Sequence, residues 1–204
     1  MNAIKILIVD DHAVLRMGLA SLLNSQKAFQ VVADAENCDE ALAKAEEHRP
    51  DIVIMDLMIP GRNGAEITGE LVKRDPSARV LVLTSYSTSS GIAAALEAGA
   101  KGAILKSAPF DEIALAIREI VAGRAYVSAE IKRVLKEDPP LKSLTPRQLA
   151  VLKLLARGFS NGDIAKSLDI SENVVKEHVL AILKRIDAAN RTEAVSIAYR
   201  HHLI

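Results

Sequence analysis

Five short apolar runs punctuate residues 1–120: IKILIV (4–9), QVVADA (30–35), DIVIM (51–55), RVLVLT (79–84) and GAILK (102–106). They are apolar at successive positions instead of alternating, as strands buried on both faces of a parallel sheet must be. Between them lie stretches with helical periodicity near 13–24, 39–48, 64–74, 88–98 and 109–122. Five βα units in a row predict an open, doubly wound α/β domain, because right-handed crossovers put helices on both faces of the sheet. Chemistry in such a domain belongs at the carboxyl ends of the strands.

The pattern changes after VAGRAY (121–126). A charged stretch follows and closes on KEDPPLKS (136–143), whose double proline forbids a continuing helix, so a linker is expected over 123–141. The rest is purely helical: LTPRQLAVLKLLARG, SNGDIAKSLDI, SENVVKEHVLAILKRIDA and NRTEAVSIAYRHHLI. Thr145, Ser160, Ser171 and Asn190 each stand where an N-cap belongs, Pro146 takes a first helical position, and Gly158 stops the first helix. The expected layout is a five-stranded, flavodoxin-like doubly wound α/β domain over 1–122 and an all-α four-helix domain over 142–204.

Charge sharpens that division. The whole chain is neutral, but residues 1–140 hold 16 Lys and Arg against 20 Asp and Glu, a net of −4, while 141–204 hold 10 against 6, a net of +4. A basic back half suits a polyanion partner. The single cysteine, Cys38, excludes an internal disulfide and a cysteine-based metal site and reads as a small helix residue. The apolar run after Lys5 is too short for a signal sequence or a membrane span, so a cytoplasmic protein is expected.

The strand ends carry the candidate chemistry. The first strand closes on Asp10 and Asp11, the third on Asp56, the fourth on Thr84 and the fifth on Lys106. In the strand order 2-1-3-4-5 the first and third strands are neighbours, which puts three carboxylates in one crevice. Their mutual repulsion calls for a cation, and oxygen ligands select Mg2+ or a similar hard ion. A nucleophilic carboxylate (Asp56), a hydroxyl (Thr84), an ammonium (Lys106) and a metal around one volume make a phosphoryl-transfer site. A phosphoaspartyl hydrolase would need a second acid in an Asp-x-Asp motif, and Asp56-Leu57-Met58 lacks it, so an enzyme is not expected. His12 reads as a helix-start residue and the His201-His202 pair as a solvated tail.

VDDH (9–12), MDLMIPGRNG (55–64), LTSY (83–86) and KGAILKS (101–107) resemble the motif set of response-regulator receiver domains. The resemblance implies that Asp56 accepts a phosphoryl group from the phosphohistidine of a sensor histidine kinase. It further implies that Asp10, Asp11, Asp56 and the backbone carbonyl of Met58 bind Mg2+, that Thr84 and Lys106 read the phosphate, and that a cis peptide can follow Lys106. Pro60 and Gly64 fall at the family's spacing, and Tyr86 lies at the mouth of the site. Ala103 stands where the family commonly carries Tyr or Phe, so no inward-swinging ring can transmit the signal in this chain.

The segment 160–186 reads as helix, turn, helix. At 100° per residue Val175, His178, Val179, Ile182, Leu183 and Ile186 form a core face, while Asn173, Lys176, Glu177, Leu180 and Lys184 point away from it. The string from Leu144 through NRTEAV resembles the LuxR-type helix-turn-helix, with Gln148 for the usual Glu and Val174 for the usual Thr, which can touch the DNA backbone. By that resemblance Lys176, Glu177 and Leu180 reach base edges and Lys184 lies nearer the phosphates. Receiver plus this module is similar to the NarL/FixJ class of transcriptional regulators. The implied partners are DNA, a kinase and a second copy on DNA through an apolar stripe of the last helix, Ala194, Val195 and Ala198 with Tyr199 or Arg191 beside them, unless that stripe packs on the first helix of the unit, with RNA polymerase as a further candidate. One alternative stays open beside phosphorylation-controlled DNA binding: a DNA-binding regulator whose receiver is a phosphate-independent protein-interaction module.

Overall fold

The structure is a computed structural model and describes residues 3–59, 62–85, 89–140, 144–201 and 203–204. The expectations attached to Pro60, Tyr86 and His202 lie outside these residues. Two compact units result, Met1–Pro139 and Pro140–Ile204.

The first unit runs β1 (Ile4–Val9), α1 (Ala13–Asn24), β2 (Phe29–Ala35), α2 (Cys38–His48), β3 (Ile52–Met55), β4 (Met58–Ile59), β5 (Arg62–Asn63), α3 (Gly64–Arg74), β6 (Val80–Thr84), α4 (Ser89–Glu97), β7 (Gly102–Leu105), α5 (Phe110–Val121), β8 (Tyr126–Val127) and α6 (Ala129–Glu137). The main sheet is parallel in the order β2-β1-β3-β6-β7-β8, and β4 and β5 pair antiparallel in a second, two-stranded sheet. Strand residues alternate between two cores, as the two-residue period of a strand demands. Leu7, Val9, Val53, Met55, Val80, Val82 and Ala103 pack against α2, α3 and α4, with Ile131 of α6 in the same cluster. Ile6, Ile8, Ile52, Ile54, Leu81, Leu83 and Ile104 pack against α1 and α5. This explains the unbroken apolar runs of the sequence: no position of β3, β6 or β7 faces water.

Two features depart from expectation. The sheet has six strands, not five, because Tyr126 and Val127 pair with Gly102 and Ala103. The stretch expected as linker, 123–141, therefore holds β8 and helix α6, both within the first unit. A strand of two residues has no period to detect, and the charges of α6 conceal its apolar positions. No cis peptide occurs among the described residues, so the bond after Lys106 is trans.

The second unit comprises α7 (Pro146–Ala156), α8 (Asn161–Leu168), α9 (Glu172–Arg185) and α10 (Arg191–Arg200). All four expected N-caps form. Thr145, Ser160, Ser171 and Asn190 accept hydrogen bonds from the amides of Gln148, Asp163, Val174 and Glu193. At Thr145 the bond is reciprocal, with the Gln148 side chain accepting from the Thr145 amide at 2.9 Å, so glutamine preserves the capping box that a glutamate would make. Gly158 adopts φ +81° just beyond α7, and Asp169 adopts φ 52° in the turn between α8 and α9. Val151, Leu152, Ile164, Val175, Ile182, Ala194 and Ala198 are fully buried around one small core.

That core corrects two readings. Ala194 and Ala198 are consumed by packing of α10 within the unit, and the exposed apolar side chain of this helix is Tyr199. His201 is buried instead of solvated, because it caps α10 at a point where the chain turns back onto the core. Among the described residues no helix is long and apolar enough to cross a membrane.

Replacing the Thr145 cap should cost about 1 kcal/mol. Urea unfolding of Thr145→Ala in the full chain, followed by amide exchange in α7, should show that loss, whereas Thr145→Ser should be close to wild type.

Candidate functional site

Strands β1 and β3 lie side by side in parallel register, with Val9 opposite Met55, so the residues that follow them emerge together at one sheet edge. The Asp56 amide donates to the Val9 carbonyl at 2.9 Å and the Asp10 amide to that of Ala35 at 3.1 Å, which pins both acids to the ends of the strands. Their side chains are about 3% exposed. Two buried carboxylates this close are unfavourable unless a cation joins them.

The cation present is Lys106, delivered by β7. Its amide donates to the Thr84 carbonyl at 2.7 Å, and its Nζ reaches back to Asp10 Oδ2 at 2.6 Å and Asp56 Oδ2 at 2.8 Å. Burial is the largest influence on Asp56 and pushes its carboxyl above the usual carboxylate range, with the Lys106 hydrogen bond and charge pulling back only in part. Burial also works against the Lys106 ammonium, but the two carboxylates outweigh it and lift the group above an ordinary lysine, so it stays charged. Thr84 is fully buried at the end of β6.

Asp11 completes the cluster. Ligand atoms of Asp10, Asp11, His12 and Asp56 all lie within 4.8 Å of one another. His12 Nδ1 is 2.7 Å from Asp11 Oδ1, yet that buried oxygen receives no hydrogen bond. An orphaned carboxylate oxygen facing two other acids suits a hard divalent cation, which takes oxygen ligands and offsets the accumulated negative charge. Met58 stands two residues beyond Asp56, at the start of β4, with its side chain about half exposed.

The turn after Asp56 depends on Gly64. Its amide donates to the Leu57 carbonyl at 3.1 Å, and a Cβ there would come within 2.1 Å of the Asp56 carbonyl oxygen. Only glycine lets the start of α3 press against the backbone of the acidic residue.

His12 stands at the start of α1 as the sequence reading had it and also touches the acidic cluster, whereas Arg16 escaped that reading. The His12 amide donates to Asp10 Oδ1 at 2.8 Å and its ring lies 3.1 Å from the same oxygen. Arg16, nearly buried, donates from a terminal guanidinium nitrogen to the Asp10 carbonyl at 2.6 Å and from Nε to Asp34 Oδ2 at 2.9 Å. It braces the acidic loop against the end of β2. The signal was there: Arg16 is the one charged residue in the sequence of α1, and a lone charge on an apolar helix needs a partner.

On α9 the expected faces separate. Val175, Ile182 and Ile186 are buried, and His178 sits at the border. Lys176, Glu177 and Lys184 are exposed, Leu180 is 67% exposed, and Val174 is half-buried beside the Ser171 cap. An exposed leucine on a basic unit is a side chain without an intramolecular use.

Residues 6–118 match the family model of the response regulator receiver domain and 142–198 that of bacterial regulatory proteins of the luxR family. The response regulator protein VraR of Staphylococcus aureus is 37% identical over 206 residues, covering 98% of this chain and 99% of that protein. Among solved structures, the response regulator ChrA of a heme-sensing two-component system is 33% identical over the full length of both chains, with a TM-score of 0.60. RcsB from Salmonella enterica, bound to a promoter in the presence of the phosphomimetic BeF3-, is similar in fold at 23% identity and a TM-score of 0.70, covering 96% of this chain.

Titration of Asp56 by carbon-13 NMR should place its midpoint above the usual carboxylate range. Lys106→Met removes the ammonium that favours the ionised form, so it should raise the midpoint further, and added Mg2+ should lower it. A midpoint at or below that of a solvated aspartate would contradict this electrostatic picture.

Proposed function

Because the chain belongs to the two-component response regulators of the NarL/FixJ class, in which a receiver domain controls a LuxR-type DNA-binding domain, we propose that Asp56 is its phosphoacceptor and α9 its reading helix. The observation that carries the first part is the Lys106 ammonium held between Asp10 and Asp56 at the mouth of the β1–β3 crevice. In this reading residues 1–122, with β8 and α6 packed onto them, form the receiver, and 142–204 form the DNA-binding domain.

The donor is the phosphohistidine of a sensor histidine kinase or a small acyl phosphate. A carboxylate oxygen of Asp56 attacks phosphorus, the bond from phosphorus to the donor nitrogen or oxygen breaks, and the leaving group keeps the bonding pair. No oxidation state changes. Lys106, already paired with Asp56, exchanges part of that contact for a phosphoryl oxygen, and the Thr84 hydroxyl donates to another. Asp10, Asp11, Asp56 and the Met58 carbonyl would hold Mg2+, which when bound neutralises phosphoryl charge and favours the ionised nucleophile. Arg16 keeps the Asp10 backbone in place throughout. Burial disfavours the Asp56 carboxylate, and the positive charge of Lys106 and of a bound cation favours the ionised, nucleophilic form.

On DNA, Lys176 donates to guanine or a phosphate, Glu177 accepts from a cytosine amino group, and Leu180 meets a thymine methyl. Val174 offers no hydroxyl to the backbone, and Lys184 supplies phosphate contact. One helix reads only a few base pairs, so the protein acts in the cytoplasm as a homodimer on half-sites about one helical turn apart.

Incubation with acetyl phosphate and Mg2+ should add a single phosphate by intact mass, and Asp56→Asn should abolish it; labelling that survives in the variant or in excess chelator would sink the assignment. Gly64→Ala should slow uptake by displacing the Asp56 backbone.

For α9, binding-site selection should show Glu177→Ala relaxing discrimination at one position by about 1–3 kcal/mol. Lys184→Ala should instead weaken all sequences alike and lower the salt slope by about one unit. An unchanged motif with Glu177→Ala would mean that this side chain does not read bases.

A further inference from the structure

Strand β2 does not keep one register along β1. Phe29, Gln30 and Val31 pair with Ile4, Lys5 and Ile6, but Leu7 pairs with Ala33, so Val32 is an extra residue. One inserted residue exchanges the two faces of everything after it. Phe29 and Val31 join the core under α1 and α5, whereas Ala33 and Ala35 join the core on the other side of the sheet. Asp34 consequently falls opposite Ile8, on the face that α1 covers. With an unbroken register it would point to the opposite face. Arg16 of α1 meets it there, with Nε donating to Asp34 Oδ2 at 2.9 Å and Nη2 lying 3.7 Å from Glu36 Oε2.

The other end of the guanidinium holds a peptide unit. Arg16 Nη1 donates to the Asp10 carbonyl at 2.6 Å, while the Asp10 amide donates to the Ala35 carbonyl at 3.1 Å. The carbonyl of Asp10 and the amide of Asp11 belong to one plane, so fixing the first fixes the direction in which the chain enters Asp11. Asp10 is also anchored through its side chain, by the His12 amide at one oxygen and by Lys106 at the other. Asp11 lacks that anchorage: its buried Oδ1 receives no hydrogen bond, and what lies nearest is the ring of exposed His12. Its aim toward Asp10 and Asp56 therefore depends on its backbone. A planar guanidinium that bonds at both ends suits that task, and a lysine, a single point of charge, does not.

We propose that Arg16, aimed by Asp34, is a positioning residue for the divalent cation: by fixing the Asp10–Asp11 peptide it holds the Asp11 carboxylate toward those of Asp10 and Asp56. This rests on those three acids being the cation site. The two ways in which Arg16 can act on a cation have opposite signs. Like charges repel, so an Arg16 that acted only through its charge would weaken Mg2+ binding, and removing it would tighten the site. Positioning gives the reverse.

The test is Mn2+ binding to the full chain, followed by electron paramagnetic resonance, with Mg2+ as competitor. Arg16→Met keeps the apolar stem and should weaken both ions by about tenfold or more, as the loss of an outer hydrogen bond to a metal site does. Arg16→Lys keeps the charge without the two-ended grip and should fall between Arg16→Met and wild type. Asp34→Ala removes an exposed carboxylate and should fold normally. It should weaken binding by a smaller factor, and that factor should vanish in the Arg16→Met background, because Asp34 acts through Arg16. Unchanged or tighter binding by Arg16→Met overturns the positioning role. So does an Asp34→Ala loss of the same size in both backgrounds, which marks a plain effect of charge. Should Arg16→Met fail to fold, Arg16→Lys and Asp34→Ala proteins that both bind as wild type does overturn it equally. Asp11→Asn separates this role from the site it serves. A wild-type chain that binds no Mn2+, or an Asp11→Asn chain that binds it as tightly as wild type, overturns the three-acid site and the role of Arg16 with it. Weakened binding by Asp11→Asn beside unaffected binding by Arg16→Met overturns the role of Arg16 alone.

Discussion

One ammonium group holds the receiver's chemistry together. Asp10 and Asp56 leave adjacent strands with almost no exposure to water, and their charges are tolerable there because Lys106 reaches across from β7 to both. Strand order matters for this reason: β1 and β3 must be neighbours to gather the acids, and β7 must stand far enough along the sheet for a long, flexible side chain to bridge to them. Removing the lysine would leave two buried acids without their shared cation, and removing an acid would leave the lysine short of its second partner. The pair of contacts is therefore a structural tie that also concentrates charge at this edge of the sheet.

Much of this was legible in the residues. The unbroken apolar runs announced buried parallel strands, and each run that ended on a charged or hydroxylated residue pointed to the carboxyl edge, because a buried strand has no other reason to finish on Asp56 or Lys106. The four caps of the helical unit were legible for a related reason, since a serine, threonine or asparagine in front of a helical period has one dominant local use. What stayed hidden depends on contacts between distant positions. Nothing in the sequence near Arg16 shows that it grips the Asp10 carbonyl, and nothing near Tyr126 shows that Gly102, 24 positions earlier, leaves space for a sixth strand. The α10 stripe was over-read because periodicity identifies an apolar face without saying whether that face is already covered; in a unit this small, Ala194 and Ala198 are.

The same limit explains Ala103. Seen alone, it subtracts a functional ring from the family pattern. Seen beside Val127, which pairs with it, and Ile131, which shares its core, it is one position of a packing layer that continues into a stretch composition marks as mere linker. A loss at one position and an apparently unremarkable run of charged residues are two sides of one packing arrangement.

The sheet also divides the receiver's interior into two compartments that meet only through a layer of backbone. Side chains of α1 and α5 touch Ile6, Ile8, Ile54 and Ile104, while those of α2, α3, α4 and α6 touch Val9, Val53, Met55 and Ala103. Volume changes on one side are felt by different neighbours from those on the other, so substitutions in the two compartments should combine almost additively. The α1–α5 compartment can therefore drift in sequence, trading one aliphatic residue for another, with little consequence for the compartment in which Ala103 and α6 are packed.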